Sequence, residues 1–241
     1  MKKRITINKN PYYDPVDLFK KKAITIKPGV TVLVGCNGSG KTSLLKQIED
    51  SIRKGEEIVF SFNNLKEGGQ NSLEKQFAKG NFTFVSQFIQ RSEGENIMLN
   101  ISDIAMKIGE LVKRGRFETK KELWIILDAV DSGLSIDNIV DVKDQLFDTI
   151  LNDERIKDVS KYIIISTNTY EVARGERCYD VSKCEYVNNK SYEEYRDIIL
   201  KTKETKTLRY DLIFEINEKE NNDRSLDFDR DKIRKDDDDE E

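Results

Sequence analysis

Two short segments near the start of the chain alternate polar and apolar positions, residues 4–7 (Arg-Ile-Thr-Ile) and 23–26 (Ala-Ile-Thr-Ile), and each predicts a strand. Asn10-Pro11-Tyr12-Tyr13-Asp14-Pro15 between them predicts a loop, and Lys27-Pro28-Gly29 a turn into the apolar run Thr31–Val34. Leu44, Leu45, Ile48 and Ile52 then recur at helical spacing and predict a helix ending near Gly55. Glu57–Phe62 predicts another strand, followed by a polar segment holding a short helix from about Ser72 to Lys79, a small helical arm. Ile97, Ile101, Ile104, Ile108 and Leu111 fall at intervals of three and four, which predicts a long amphipathic helix behind Ser92-Glu93-Gly94-Glu95. Leu123–Leu127 and Lys161–Ser166 read as buried strands, with a helix over Ile136–Ile150 between them. Short strands near 178–181 and 185–187 close an edge, and a helix runs from Tyr192 to about Lys201. Strands alternating with helices predict an α/β fold whose mixed sheet is parallel at its centre and flanked by helices.

The pattern fades after Lys201. Residues 217–241 are nearly all polar and end Asp236-Asp237-Asp238-Asp239-Glu240-Glu241. Like charges repel and bury nothing, so the expectation is one folded domain, 1–205, and a largely disordered acidic tail, 206–241. The tail is either a solvated extension or a segment that binds a partner or competes with anions. A length of 241 residues can bury a sizeable core, and 36% charged residues cover it with a heavily solvated surface. The net charge of −4 provides no broad basic field. Lys20-Lys21-Lys22 and Lys113-Arg114-Gly115-Arg116 read as solvated faces, so nucleic-acid binding is left open without being indicated. Three cysteines and no histidine argue against both a disulfide framework and a zinc site. No apolar run reaches membrane-spanning length and no apolar leader opens the chain, so the expectation is a cytoplasmic protein without membrane insertion.

Candidate chemistry begins at Gly35-Cys36-Asn37-Gly38-Ser39-Gly40-Lys41-Thr42, between an apolar strand and a helix opening with Ser43. Strand, glycine-rich loop and helix in that order form a phosphate-binding loop. The glycines let backbone N–H groups close on an anion, and the helix N-terminus adds its positive end. Lys41 is placed to reach the β- and γ-phosphates of a nucleoside triphosphate, and the Thr42 hydroxyl to hold Mg²⁺. The strand Leu123–Leu127 ends in Asp128, a Walker B pattern whose carboxylate serves the same ion from the other side.

Two further stretches carry a family resemblance. Arg91-Ser92-Glu93-Gly94-Glu95 resembles the signature motif of ABC-type ATPases, in the form used by the recombination and chromosome-maintenance branch. Asp131-Ser132-Gly133-Leu134-Ser135 resembles that branch's D-loop. The alternative reading of Ser92–Glu95 is a helix N-cap and capping turn. The resemblance implies a P-loop NTPase fold, ATP with Mg²⁺ as cofactors, and a homodimer in which Ser92 and Gly94 of one subunit meet the γ-phosphate held by the other. The short interval between the phosphate loop and the signature leaves no room for that branch's coiled coil.

Several positions depart from the family pattern. The glutamate that usually follows the Walker B aspartate and polarises the attacking water is Ala129 here, and a methyl group cannot orient water. Asp131 is the nearest spare carboxylate. The usual switch histidine is missing, with Asn168 as the best polar substitute and Thr167 as the alternative. For the Q-loop, Gln87 lies too close to Ser92, and Asn63 or Asn64 suits the topology better. Tyr12 and Tyr13 lie at about the distance where related ATPases place a base-stacking aromatic; Tyr13 is the candidate retained.

Two functional classes follow. One is a stand-alone ATPase head that dimerises on ATP–Mg²⁺, releases on hydrolysis and couples that cycle to an unknown protein partner, in DNA repair, phage or anti-phage settings. The other is a nucleotide-gated binding switch with little or no turnover, which Ala129 favours.

Overall fold

The computed structural model describes residues 2–55, 57–63, 93–117, 122–131 and 134–238. The helix expected near 72–79 and the candidates Asn64, Gln87 and Ser92 lie outside the described residues. Strands β1 (Lys3–Thr6) and β2 (Ala23–Ile26) pair antiparallel as a ribbon of their own, Ile5 opposite Ile24. The other described strands are β3 (Gly29–Val34), β4 (Ile58–Asn63), β5 (Glu122–Asp128), β6 (Ser160–Ser166), β7 (Arg177–Asp180) and β8 (Glu185–Val187). They form one sheet in the order β4-β5-β6-β3-β7-β8, parallel throughout except for the edge strand β8. The expected mixed sheet with a parallel centre is therefore present.

Period-two alternation divides the core between the two faces of this sheet. Val30, Val32 and Val34 of β3, with Leu123, Ile125, Leu127, Ile163 and Ile165, point to one face. Helix α2 (Glu93–Lys113) covers that face with Ile97, Ile101, Ile104 and Ile108, the stripe expected from its spacing. Leu33, Trp124, Ile126, Tyr162 and Ile164 point to the other face, against Leu44, Leu45, Ile48 and Ile52 of α1 (Lys41–Arg53) and the isoleucines of the β1–β2 ribbon. Trp124 and Tyr162 are register partners and stack with ring centroids 3.9 Å apart. All three cysteines are buried and free.

Two helices differ from their expected form. The helix expected over residues 136–150 is α3 (Ile136–Asp141) and α4 (Asp148–Leu151), joined by a π-helical stretch, Val142–Phe147. The wider turn brings Val142 and Phe147, five residues apart, to one buried face. It also carries Lys143, whose ammonium donates to the carbonyls of Glu171 (3.2 Å), Val172 (3.3 Å) and Arg174 (2.6 Å) around the end of α5 (Tyr170–Ala173).

The larger difference is at the C-terminus. The expectation was a helix ending near Lys201 and a disordered tail from 206; instead α6 runs from Tyr192 to Asp238. Low hydrophobicity argues that a segment buries little, which does not forbid local helix. No Gly or Pro follows Ser191, and Glu215 with Lys219 has the i, i+4 spacing that supports a helix. The first turns of α6 are anchored by Tyr195, Ile198 and Thr202, all buried. A domain boundary at 205/206 would cut the docked part of this helix, because Lys206 and Arg209 bond back to the body.

Trp124 carries the most central large side chain of the α1 face and is fully buried. Trp124→Ala is expected to lower stability by roughly 3–5 kcal/mol, the usual cost of emptying such a site, read as a fall in the urea midpoint. A loss under about 1 kcal/mol would contradict the packing described here.

Candidate functional site

Strand register assembles the site at the carboxyl edge of the sheet. Asn63 ends β4 opposite Asp128 of β5, Asp128 lies opposite Ser166 of β6, and Ser166 opposite Leu33 of β3. Parallel strands leave such an edge as a crevice where ligands bind. One row of backbone therefore brings together residues separated by about a hundred positions in sequence.

Asp128 is the hub of that row. Ser166 Oγ donates to Asp128 Oδ1, and Thr42 Oγ1 lies 3.3 Å from the same oxygen. Asn63 Nδ2 donates to Oδ2 at 2.7 Å. Asn63, one of the two residues considered for the Q-loop, is thus bonded to this carboxylate. Immediately after Asp128 the chain turns through Ala129 at φ 56°, a left-handed conformation costing a non-glycine residue of order 1 kcal/mol. The Ala129 N–H donates to Ser166 Oγ at 3.1 Å, so the same serine holds the turn and orients the carboxylate.

The loop after β3 delivers the phosphate-binding chemistry. Gly35, Gly38 and Gly40 all have positive φ. At Gly35 a side chain would also meet Ser39 Oγ at 2.5 Å, and at Gly40 it would press on Phe19 and Leu18 at about 3 Å. Ser39 itself is buried, and among the described residues its hydroxyl has no hydrogen-bond partner. Helix α1 starts at Lys41, whose ammonium donates to the carbonyls of Gly35 (2.6 Å) and Cys36 (3.1 Å) and to Asn168 Oδ1 (2.9 Å). Burial pushes the Lys41 pKa down, while Cys36, Asp131 and Asp128 pull it back up. A partly desolvated cation at a helix N-terminus is a fitting partner for a phosphate.

Asp131 is bound to the segment after β6. Its Oδ2 accepts from Thr167 Oγ1, the Asn168 N–H and Thr169 Oγ1, each at 2.8 Å. This carboxylate holds the Thr167–Thr169 turn and so presents the Asn168 side chain to Lys41. Of the two switch candidates, Asn168 reaches the phosphate loop and Thr167 reaches Asp131.

These groups surround a cleft of about 590 Å³, within the usual range of small-molecule sites. Asn37, Gly38, Gly40, Lys41, Thr42 and Ser43 line one side, and Asp128, Ala129, Asp131 and Asn168 another. Gly35 takes part through its carbonyl and Ser39 lies behind the loop. Tyr13 is 91% exposed and does not line the cleft; Tyr12 does, with its hydroxyl hydrogen-bonded to Ser43 Oγ. The reciprocal bonds between Asn10 and Asp14 close the loop around the tyrosines, and in that turn Tyr13 has φ 60° and projects to solvent. Gly94 is buried in the first turn of α2 and does not line this cleft, and Ser92 lies outside the described residues.

The residues also fit the implied ion. A hydroxyl and a carboxylate oxygen, Thr42 Oγ1 and Asp128 Oδ1, are hard donors suited to Mg²⁺, which takes few protein ligands when phosphates complete its shell. Asp14, Arg209 and Tyr210, also on the cleft, carried no motif that sequence reading could detect. The available signal was spacing: Thr202, Lys206 and Arg209 continue the buried stripe of Tyr195 and Ile198 along one face of α6.

A sequence profile described as ABC transporter matches residues 19–178, spanning the phosphate loop, Asp128 and Asn168. No curated protein matches the chain. Among the described residues no helix is long and apolar enough to cross a membrane. The chain belongs to the ABC transporter family, and its matched domain is an ATP-binding, ABC-type ATPase domain.

Proposed function

We propose that this chain is an ATP–Mg²⁺-gated head that closes as an ATP-sandwiched homodimer and couples nucleotide state to a protein partner. The observation that carries this reading is the convergence of Lys41, Thr42, Asp128 and Asn168 on one cleft, with Asn63 bonded to the Asp128 carboxylate from the neighbouring strand. Lys41 meets the β- and γ-phosphates, Thr42 and Asp128 hold the ion, and Asn168 takes the γ-phosphate position of the missing histidine. Tyr12 replaces Tyr13 as the candidate base-stacking aromatic, because of these two only Tyr12 lines the cleft. Gly94, with Ser92, serves the nucleotide of the second copy. The resemblance of residues 91–95 and 131–135 to the recombination and chromosome-maintenance branch supports a cytoplasmic role in DNA repair, phage or anti-phage function.

Ala129 favours the second reading, a binding switch with little turnover. Among the described residues the carboxylates on the cleft are Asp14, Asp128 and Asp131. Asp128 is committed to the ion site and Asp131 to the turn before α5, so neither is free to act as a base in place of the glutamate. Binding then does the work of signalling, and hydrolysis resets it slowly.

Molecular mass in solution, followed with and without ATP–Mg²⁺ alongside phosphate release, tests this. The expected result is a dimer that forms only with ATP–Mg²⁺ and persists with very slow phosphate release. A monomer that binds ATP would overturn the sandwich. Lys41→Ala should weaken ATP binding at least about tenfold and abolish the dimer.

Ala129→Glu should raise phosphate release by roughly 10²-fold or more and shorten the dimer's lifetime, since one positioned base is worth about that much. The left-handed backbone disfavours alanine and glutamate alike, so folding is not the discriminating variable. Unchanged release would mean that another element of the site is also incompetent.

A further inference from the structure

The wall of the cleft opposite Asp128 is supplied by the terminal helix. Thr202 Oγ1 accepts the Cys36 N–H at 2.8 Å and donates to the Ile199 carbonyl at 2.7 Å, so α6 is bonded into the phosphate loop. One turn on, Lys206 Nζ donates to the Asn37 carbonyl at 3.1 Å. Arg209 comes next on the same face and lines the cleft beside Tyr210. Its Nη2 donates to Asp14 Oδ2 at 2.5 Å and to the Val16 carbonyl at 3.0 Å, and its Nε to the Asp17 carbonyl at 3.3 Å.

Three acceptors fix this guanidinium, and its side chain is only 13% exposed. Arginine has five N–H donors in a rigid fork. The described bonds use Nε and Nη2, so among the described residues Nη1 keeps both of its donors unused. A held, permanently charged fork with spare donors, on a cleft built for a triphosphate, is a preorganised anion contact. An arginine serving only as a strap between loop and helix has no need to line that cleft.

Resting on the nucleotide-site reading above, we propose that Arg209 is a nucleotide-binding residue, through which the docking of α6 is coupled to occupancy of the site. Asp14 positions the guanidinium, and its own negative charge opposes the polyphosphate. The nucleotide then bridges the phosphate loop and the terminal helix and firms the contact already begun by Thr202 and Lys206. Because coupling of this kind is reciprocal, whatever holds α6 against the body also tightens nucleotide binding.

The test is calorimetric titration of the full-length chain with ATP–Mg²⁺, with hydrogen exchange over residues 202–216 as a second readout. The expected result is about tenfold weaker binding for Arg209→Ala and a loss under about threefold for Asp14→Asn, which removes the opposing charge while the Val16 and Asp17 carbonyls still hold the arginine. Nucleotide should slow exchange over 202–216 in the native chain and not in Arg209→Ala. Arg209→Lys, which keeps the charge but loses the fork, should bind with intermediate affinity and serves if the alanine variant does not fold. Equal weakening by Arg209→Ala and Asp14→Asn would reduce Arg209 to a strap and overturn the proposal. Unchanged affinity in Arg209→Ala, or exchange indifferent to nucleotide, would overturn it as well. Lys41→Ala separates the two levels. If the native chain binds and Lys41→Ala does not, a null result at Arg209 fails this inference alone. If the native chain does not bind ATP–Mg²⁺, or Lys41→Ala binds as tightly, the nucleotide-site reading fails and this inference with it.

Discussion

The hydrogen bonds of the Asp128 carboxylate are the constraint on which the rest of the site depends. A carboxylate only 4% exposed must find donors, and here the donors come from three other elements: Ser166 from β6, Asn63 from β4 and Thr42 from α1. Each bond therefore ties a strand end or the start of α1 to the row where catalytic and ion-binding chemistry is placed. The parallel register sets the spacing of that row, and the two differently packed faces of the sheet oppose a slip by one residue, because a slip would exchange the side chains fitted to α2 with those fitted to α1.

A second layer rests on this one. Asp131 gathers Thr167, Asn168 and Thr169 on a single oxygen, and the Asn168 side chain in turn meets Lys41. Lys143, on the π-helical stretch, fastens the carbonyls around the end of α5, the helix that follows the same turn. Movements of Asp131 and of the Thr167–Thr169 turn are thus mechanically joined through short, charge-assisted bonds. That arrangement suits a protein whose output is a change of conformation, and it explains why Asp131 is better read as a positioning group than as a base.

Much of the nucleotide cleft was legible because its requirements are local. A glycine loop needs positive φ at fixed offsets, a buried strand must end before an aspartate can face the cleft, and helix faces repeat at 3.6 residues. Lys41, Thr42, Asp128 and the isoleucine stripe of α2 all follow from such rules. The choice between Tyr12 and Tyr13 was not legible, since adjacent loop residues differ only in which way the turn projects them. The C-terminal segment was misjudged for a related reason: composition reports how much a segment can bury, and says nothing about an arginine that bonds into a cleft built by other elements.

The sequence by itself determined the strands, the buried stripes of α1 and α2 and the place of the phosphate loop, because periodicity and backbone conformation are properties of neighbouring residues. Only the tertiary structure decided that Asn63 meets Asp128, that Asn168 meets Lys41, that Arg209 lines the cleft and that Thr202 bonds to its phosphate loop. Those decisions depend on a strand order, β4-β5-β6-β3, that does not follow the chain, and on contacts such as Cys36 with Thr202, 166 residues apart. Nothing in the local spacing of residues encodes such a meeting; it arises when the sheet is assembled and its buried polar groups must each find a partner.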